Sequence, residues 1–488
     1  MLPSEKSMNL KELLDGVETV EITGDMSCEI SGIVYDSRRA LPGSLFVALH
    51  GEKADGAAYI EDAIQRGAAA VVSQTACASG GSFPCVQVVD ARLALAKLSV
   101  AFYGDPSARL CTVGITGTNG KTTVSFMLRE IFKAAGRRPG LIGTVRYEIG
   151  DRVIPAARTT PESADLQAMF AQMERAGCDS AIMEVSSHAL AQHRVDGIVY
   201  DAAVFTNLTQ DHLDYHGTLE EYFNVKARLF NQVGRFAIVN RDDSWGRRLL
   251  DEKKFLAGLI SYGFEEGAQV RGLNPVTDTN GSRMRVQSPW GEMEIRLQLI
   301  GRFNLYNALA AFATAAALGV PVEIIVKALA AMQCVPGRLE AVENKKNRRV
   351  FVDYAHTDDA LLNVLETLRE ITPGKLVVVF GCGGNRDKGK RPLMGKVAAR
   401  LADYAIITND NPRNEIPEKI AADIAGGFDS ERKYEIVLDR KAAIARGLEL
   451  IGKKDVLLVA GKGHEAYQEF NGAIVPFDDR EAVREALW

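Results

Sequence analysis

Three groups of residues have types and spacings that could do chemistry. The first is "GITGTNGKTT", residues 114–123, which follows the run Leu110 to Val113 and precedes "VSFMLREIFKAAG". It reads as a strand, a glycine turn and a helix start, the place where a phosphate would sit. Gly117 and Gly120 let backbone N–H groups turn inward, Lys121 can reach phosphate oxygens, and Thr122 offers a hydroxyl to magnesium. The strict Gly-x-x-x-x-Gly-Lys-Ser/Thr pattern needs glycine where Ile115 stands, so a plain glycine turn stays open.

The second group is Glu184, ending "SAIME", and His212, in "LTQDHLDYHG" after the strand "AAVFTN". Each alone is more readily structural. Together, on the sheet edge that carries the glycine loop, they could hold Mg²⁺ against phosphates, although magnesium prefers oxygen to imidazole. Lys226, in the helical "LEEYFNVKARLF", reads as a solvated or snorkelling side chain. The third group is Arg386 in "GCGGNRDKGKRP", Asp410, Asn411, Pro412 and Arg413 in "DNPRNE", and Glu465 in "GKGHE". Arginines suit a carboxylate and acids suit an ammonium group, which describes an amino-acid site. Surface ion pairs among loops are the alternative unless the fold brings the loops together.

The elements that must position these residues alternate strand and helix. Residues 1–105 hold short strands ("SLFVAL", "AAAVVS", "CVQVV") and helical runs ("YIEDAIQRG", "ARLALAKLSVAFYG"). Residues 106–335 continue the alternation, implying a mostly parallel sheet covered on both faces, with a small antiparallel insert between about 265 and 300. "NALAAFATAAALGVPVEIIVKALAAM" is broken by Gly319 and Pro321 and charged at Glu323 and Lys327, so it predicts a buried helix pair and no membrane span. Residues 336–488 hold four apolar strands ("RRVFVDYAH", "KLVVVFGCGG", "YAIITNDN", "DVLLVAGKGHEAY"), each running into a polar or glycine-rich loop. Ligands collect at such strand ends.

Composition sets limits. The 488 residues exceed one ordinary core, and 47% apolar with 25% charged residues is a globular balance. A net charge of −5 leaves no footprint for a nucleic-acid backbone. The opening "MLPSEKSMNLKELLDG" lacks the basic start and apolar core of an export signal, and seven scattered cysteines fit reduced core thiols, so a cytoplasmic chain is expected.

In this order, "GTNGKTT", "EVSSHAL", "FTNLTQDHLDYHG", the lysine of "NVKARLF", "GRFNLYN", "PGRLE", "DYAHTDDAL", "GCGGNRDKGKRPLMG", "DNPRNE" and "GKGHE" resemble the Mur ligases, from about residue 31 to the C-terminus. The displaced glycine then matches the shorter Gly-x-x-Gly-Lys-Thr form of these ligases. The resemblance implies an α/β fold of three domains: a smaller N-terminal α/β domain for the UDP-sugar substrate (1–105), a central P-loop ATPase-like domain with a mostly parallel sheet (106–335), and a Rossmann-like C-terminal domain for the amino acid (336–488). "DNPR" with "GKGHE" is similar to members that add meso-diaminopimelate to UDP-N-acetylmuramoyl-L-alanyl-D-glutamate in peptidoglycan precursor synthesis; lysine-adding relatives lack that arginine.

By the same resemblance, ATP phosphates meet Gly117, Thr118, Asn119, Gly120, Lys121, Thr122 and Thr123, with Asn304, Arg338, Asp353 and His356 at the base and sugar end. Thr122 and Glu184 hold one Mg²⁺. Glu184, His212 and Lys226, carbamylated by carbon dioxide, hold another. Lys121, Glu184, His212 and Lys226 are the implied catalytic set. Ser37, Thr159, Thr160, Ser186, Gln192 and Arg194 match positions for the nucleotide sugar, and Arg386, Asp410 to Arg413, Gly461 and Glu465 those for diaminopimelate. Asn385 stands where relatives commonly have aspartate. The expected chain is a monomer whose third domain closes onto the phosphate loop. Its rivals are a lysine-adding ligase, folylpolyglutamate synthase, disfavoured by the N-terminal "YDSRRALPGSLFVALHG", and a P-loop regulatory ATPase.

Overall fold

Strand-forming runs and capped helices alternate along the chain, and the computed structural model describes residues 7–51, 54–76, 83–252, 258–429 and 434–487. Its contacts divide the chain into two compact units: Met1–Thr116 with Arg137–Ala203 and Val225–Arg235, and Gly117–Gly136 with Val204–Asn224 and Phe236–Trp488.

The first unit begins with a five-stranded sheet in the order Thr19–Thr23, Cys85–Val88, Ala68–Ser73, Ser44–Val47, Gly32–Val34. All neighbours are parallel except the Thr19–Thr23 edge. Leu45, Val47, Ala70, Val72, Val86 and Val88 point into a core shared with Leu95 and Leu98 of the helix Ala91–Tyr103. Asp90 starts that helix by accepting from the N–H groups of Arg92 and Leu93, and Gly104, at φ 70°, stops it in the left-handed conformation. A second strand series follows. Cys111–Thr116 lies parallel to Ser180–Glu184, which lies parallel to Pro139–Ile142, and the hairpin Arg146–Ile149 with Arg152–Pro155 extends this sheet.

In the second unit, the helices Arg302–Ala317 and Val322–Ala331 pack on the helix Lys121–Ala134 that follows the glycine loop. The expected buried pair is present. The antiparallel insert is Val270–Asp278, Gly281–Ser288 and Gly291–Leu297. The C-terminal sheet runs Glu340–Ala341, Arg349–Asp353, Val456–Ala460, Leu376–Phe380, Tyr404–Ile407, Tyr434–Ile436, and its four long apolar strands are mutually parallel neighbours. Leu376–Phe380 and Val456–Ala460 are buried throughout, as central parallel strands must be. Sequence reading missed the hairpin Tyr467–Phe470 with Ala473–Pro476. Its turn residues Asn471 and Gly472 both have positive φ, 49° and 80°, and Asn-Gly is the local signal that would have revealed it.

No helix among the described residues is long and apolar enough to cross a membrane. The seven-thiol expectation needs correcting. Cys85 is disulfide-bonded, a pairing with no C-x-x-C signature, and Cys334 is exposed in the loop after Val322–Ala331. Cys77 and residues 1–6 lie outside the described residues.

Candidate functional site

The glycine loop is built for close approach. Gly117 has φ 143°, and a Cβ there would lie 1.9 Å from Thr206 Oγ1; Gly120 has φ 89°, and its Cβ would lie 2.4 Å from Asn307 Oδ1. Only glycine fits either place. Gly120 is the N-cap of Lys121–Ala134 and makes no side-chain cap, the condition in which a helix start meets an anion. Lys121 folds back so that Nζ donates to the carbonyls of Gly117 (2.8 Å) and Thr118 (2.9 Å). Thr206 and Asn207 clamp the loop: Thr206 Oγ1 donates to Asn119 O at 2.6 Å, and Asn207 Oδ1 accepts from the Asn119 N–H at 2.9 Å. Sequence reasoning did not single out these two, although "FTN" sat among the quoted motifs.

A cavity of about 460 Å³ opens beside the loop, lined by Asn119, Gly120, Thr122 and Thr123. Of the residues expected at the base and sugar end, Arg338 and Asp353 line it, whereas Asn304 and His356 are outside its lining. The Asn304 amide is buried, donating to Ile300 O and accepting from Asn307. His356 Nδ1 meets Tyr354 O at 2.9 Å, and burial, helped by Lys390, pulls its pKa down. Asp353 accepts from the N–H groups of Leu339 and Ala355, and burial pushes its carboxyl up. Arg338 lies over the Tyr354 ring and donates from Nη2 to Thr122 Oγ1 at 3.1 Å, while its buried Nε has no partner among the described residues. An orphaned guanidinium nitrogen beside a helix start fits a phosphate group. Asp359, from the helix Asp358–Ile371, accepts from Asn119 Nδ2 (2.8 Å) and Thr209 Oγ1 (3.0 Å), and burial raises its pKa.

In the first unit, Glu184 is fully buried and pairs opposite Ile115. Its carboxylate accepts from the Thr144 N–H and hydroxyl, both at 2.9 Å, and a Cβ on Gly143 would lie 2.3 Å from Oε1. The candidate sugar-site residues join the same network. Thr159 meets Thr144 at 3.0 Å, and Thr160 Oγ1 donates to Glu184 O and accepts from the Ser186 N–H. Arg194 donates to Thr160 O at 2.9 Å and to Gln192 Oε1 at 2.5 Å, and burial lowers its pKa. Ser37 is buried at the start of the turn Ser37–Arg39. Lys226 is 1% exposed, so the reading of a solvated lysine is wrong: the helix Leu219–Ala227 turns it inward.

His212 caps the short helix Leu213–His216 in the left-handed conformation, its Nε2 3.4 Å from Asp211. Among the described residues, no three His, Cys, Asp or Glu side chains form a ready metal cluster. Taken one by one, the Thr122 hydroxyl and the Glu184 carboxylate are oxygen donors of the kind magnesium prefers, whereas the His212 imidazole is not.

The loops of "GCGGNRDKGKRP", "DNPRNE" and "GKGHE" do come together. The Gly384 N–H donates to Asn411 O at 2.9 Å, and Gly461, at φ 114°, would place a Cβ 2.5 Å from Asp410 Oδ2. A Cβ at Gly384 would strike Pro412 O. Asn411 Nδ2 donates to Glu465 Oε2 at 3.0 Å. Lys462, fully buried and unremarked in the sequence, donates to Asn411 Oδ1 (3.0 Å) and Glu465 Oε2 (3.2 Å). Burial raises the Glu465 pKa against the pull of Lys462. Arg413 donates from Nη1 to Gly384 O and from Nε to Glu469; Arg386 is exposed. Asn385, at φ 53°, accepts from the Asn414 N–H at 3.2 Å, a backbone state that asparagine tolerates.

Sequence profiles match three successive stretches: Mur ligase family, catalytic domain, at 29–103; Mur ligase middle domain at 115–315; and Mur ligase, glutamate ligase domain, at 337–463. The chain belongs to the Mur ligase family. Among Mur ligases, it is 44% identical over 481 residues to the UDP-N-acetylmuramoyl-L-alanyl-D-glutamate–2,6-diaminopimelate ligase of Caldanaerobacter subterraneus subsp. tengcongensis, covering 98% of this chain and 99% of that one. The ligase of the same name from Geobacillus kaustophilus is 45% identical, covering 94% and 95%. A solved structure of such a diaminopimelate ligase superposes with TM-score 0.70 at 33% identity, covering 99% of both chains. The MurF ligase of Thermotoga maritima in complex with ADP shares the fold, with TM-score 0.64 at 20% identity, covering 88% of this chain and 93% of that one.

Proposed function

We propose that this Mur ligase is an ATP-dependent, ADP-forming ligase that joins meso-diaminopimelate to the γ-carboxylate of the D-glutamyl residue of UDP-N-acetylmuramoyl-L-alanyl-D-glutamate, in the cytoplasm, as a step of peptidoglycan precursor synthesis. The observation that carries the choice of amino acid is Arg413 set beside the Asn411–Glu465 pair. Donors for a carboxylate and acceptors for an ammonium group lie on adjacent loops, and a substrate with only one carboxylate, such as lysine, would leave an arginine unmatched.

The chemistry is carboxylate activation. An oxygen of the D-glutamyl carboxylate attacks the γ-phosphorus of ATP, the bond to the β–γ bridging oxygen breaks, and ADP leaves with that electron pair. An amino group of diaminopimelate then attacks the acyl carbon of the acyl phosphate, expels phosphate and loses a proton, forming the amide. Gly117 to Thr123 cradle the triphosphate, with Lys121 and Arg338 supplying positive charge where the transferring group gains negative charge. Arg338 and Asp353 lie along the cavity that would take the rest of the nucleotide, and Asn304 bonds to Asn307 in its lining. Thr122, Glu184, His212 and a carbamylated Lys226 are the residues proposed to hold Mg²⁺, which when bound would neutralise phosphate charge. Ser37, Thr159, Thr160, Ser186, Gln192 and Arg194 hold the nucleotide sugar, and Arg386, Asp410 to Arg413, Gly461 and Glu465 the diaminopimelate. The three profile matches support division of labour among 1–105, 106–335 and 336–488, in a monomer whose last domain closes over the loop.

The test measures phosphate release with ATP, acceptor and either diaminopimelate or lysine. A ligase releases phosphate only with acceptor and amino acid together, and this one with diaminopimelate. Release without amino acid would favour a regulatory ATPase; equal use of lysine would sink the selectivity.

A further inference from the structure

We propose that Glu469 is a positioning residue that sets the Arg413 guanidinium to receive the second carboxylate of the amino-acid substrate; this rests on the amino-acid site proposed above. Arg413 sits at φ 51°, a left-handed backbone that an arginine adopts only when its neighbours enforce it. The enforcing contacts come from the unforeseen hairpin. The Arg413 N–H donates to Glu469 O at 3.0 Å, and the Asn471 N–H donates to Arg413 O at 2.8 Å, so Arg413 is bracketed by the strand Tyr467–Phe470 and its turn. The same strand holds the preceding residues. Gln468 Nε2 donates to Asp410 O at 2.9 Å, and the Glu469 N–H donates to Asn411 Oδ1 at 3.1 Å.

The side chain is aimed by two further bonds. Nε donates to Glu469 Oε2 at 3.1 Å and Nη1 to Gly384 O at 2.8 Å, while Nη2 makes no hydrogen bond among the described residues. Two of the three guanidinium nitrogens are thus spent on orientation and the third is left for a ligand. Gly383 lets Nη1 settle against Gly384 O, because a Cβ there would lie 3.0 Å from Arg413 Nη1. Arg413 and Glu469 are 22% and 30% exposed, a partly shielded pair in which a charged hydrogen bond outweighs a surface one. Glu469 touches Arg413 through one oxygen at Nε and Gly384 O takes Nη1, so Nη2 stays available to a carboxylate.

Steady-state kinetics of the full chain with diaminopimelate and with lysine test this. Glu469→Ala is expected to raise KM for diaminopimelate on the order of tenfold, with kcat within about twofold and KM for ATP, acceptor and lysine unchanged. Glu469→Gln, which keeps an acceptor for Nε, is expected to recover part of that loss. In an Arg413→Ala background, Glu469→Ala is expected to add nothing. An unchanged KM, a loss that falls equally on both amino acids, or an effect of full size without Arg413 would each overturn the positioning role. A parent protein that does not join diaminopimelate would instead overturn the site reading beneath it.

Discussion

Replacing Arg440 by alanine should destabilise the protein and loosen the "DNPRNE" and "GKGHE" loops together. Arg440 and Asp479 are both fully buried as side chains and meet as a fork on a carboxylate, Nε to Oδ1 at 2.7 Å and Nη2 to Oδ2 at 2.8 Å. Burial opposes the charge on Arg440, but Asp479 more than offsets it, so the arginine's pKa is raised. Nη2 also donates to Ala460 O at 2.9 Å, and Nη1 to Asn409 O at 3.2 Å. Those carbonyls close the segments that lead into "GKGHE" and "DNPR", so one guanidinium braces both loops. Truncation strands a buried carboxylate and the Ala460 carbonyl, while Asn409 O keeps Gln468 Nε2 at 3.5 Å, costing about 3–5 kcal/mol out of the roughly 5–15 kcal/mol typical of a native protein. Guanidinium unfolding followed by circular dichroism gives the loss directly, and KM for diaminopimelate should rise while KM for ATP does not. Pairing Arg440→Met with Asp479→Leu removes the stranded charge and should recover about 1–3 kcal/mol over the single variant, though not the carbonyl contacts. A single-variant loss under about 1 kcal/mol, or a double variant less stable than the single, would refute this account.

Gly117→Ala should cut ATP-dependent joining by about a hundredfold or more, since the new Cβ would overlap Thr206 Oγ1 at a φ that alanine avoids; retained turnover would show that the loop can relax. Asp359→Ala should weaken ATP use by about tenfold through Asn119 while leaving KM for diaminopimelate alone, readable from the two KM values. Glu415 carries a pH prediction. Arg391, first, and the Asn385 N–H hold its pKa down to about 2, below the ordinary 4.5. A depressed carboxylate stabilises the folded state above the unfolded pKa, and that contribution is lost as pH falls from about 4.5 towards 2. Melting temperatures of the parent should therefore drop more steeply over this window than those of Glu415→Gln; parallel curves would contradict it.

Much of the site was legible because its chemistry is local. The glycine turn, Lys121 and Thr122 are consecutive, so strand, loop and helix start could be read from one ten-residue stretch. The four apolar strands of the last third announced a parallel sheet, and their terminal loops did converge. Lys226 and Lys462 were not legible. A lysine's type predicts solvent, and only a partner from a distant segment reverses that, as Asn411 does for Lys462. Asn304 and His356 show the converse, since a motif position does not say which way a side chain faces.

By itself the sequence determined the order of strands and helices, the glycine positions that admit a phosphate, and the residues able to pair with a carboxylate or an ammonium group, because periodicity, backbone freedom and charge are properties of short stretches. Tertiary structure alone decided which polar groups are buried, that Thr206 and Asn207 hold the loop, and that a hairpin some 55 residues away in sequence aims Arg413. Those outcomes depend on which distant atoms exclude water from one another, and no local pattern records it.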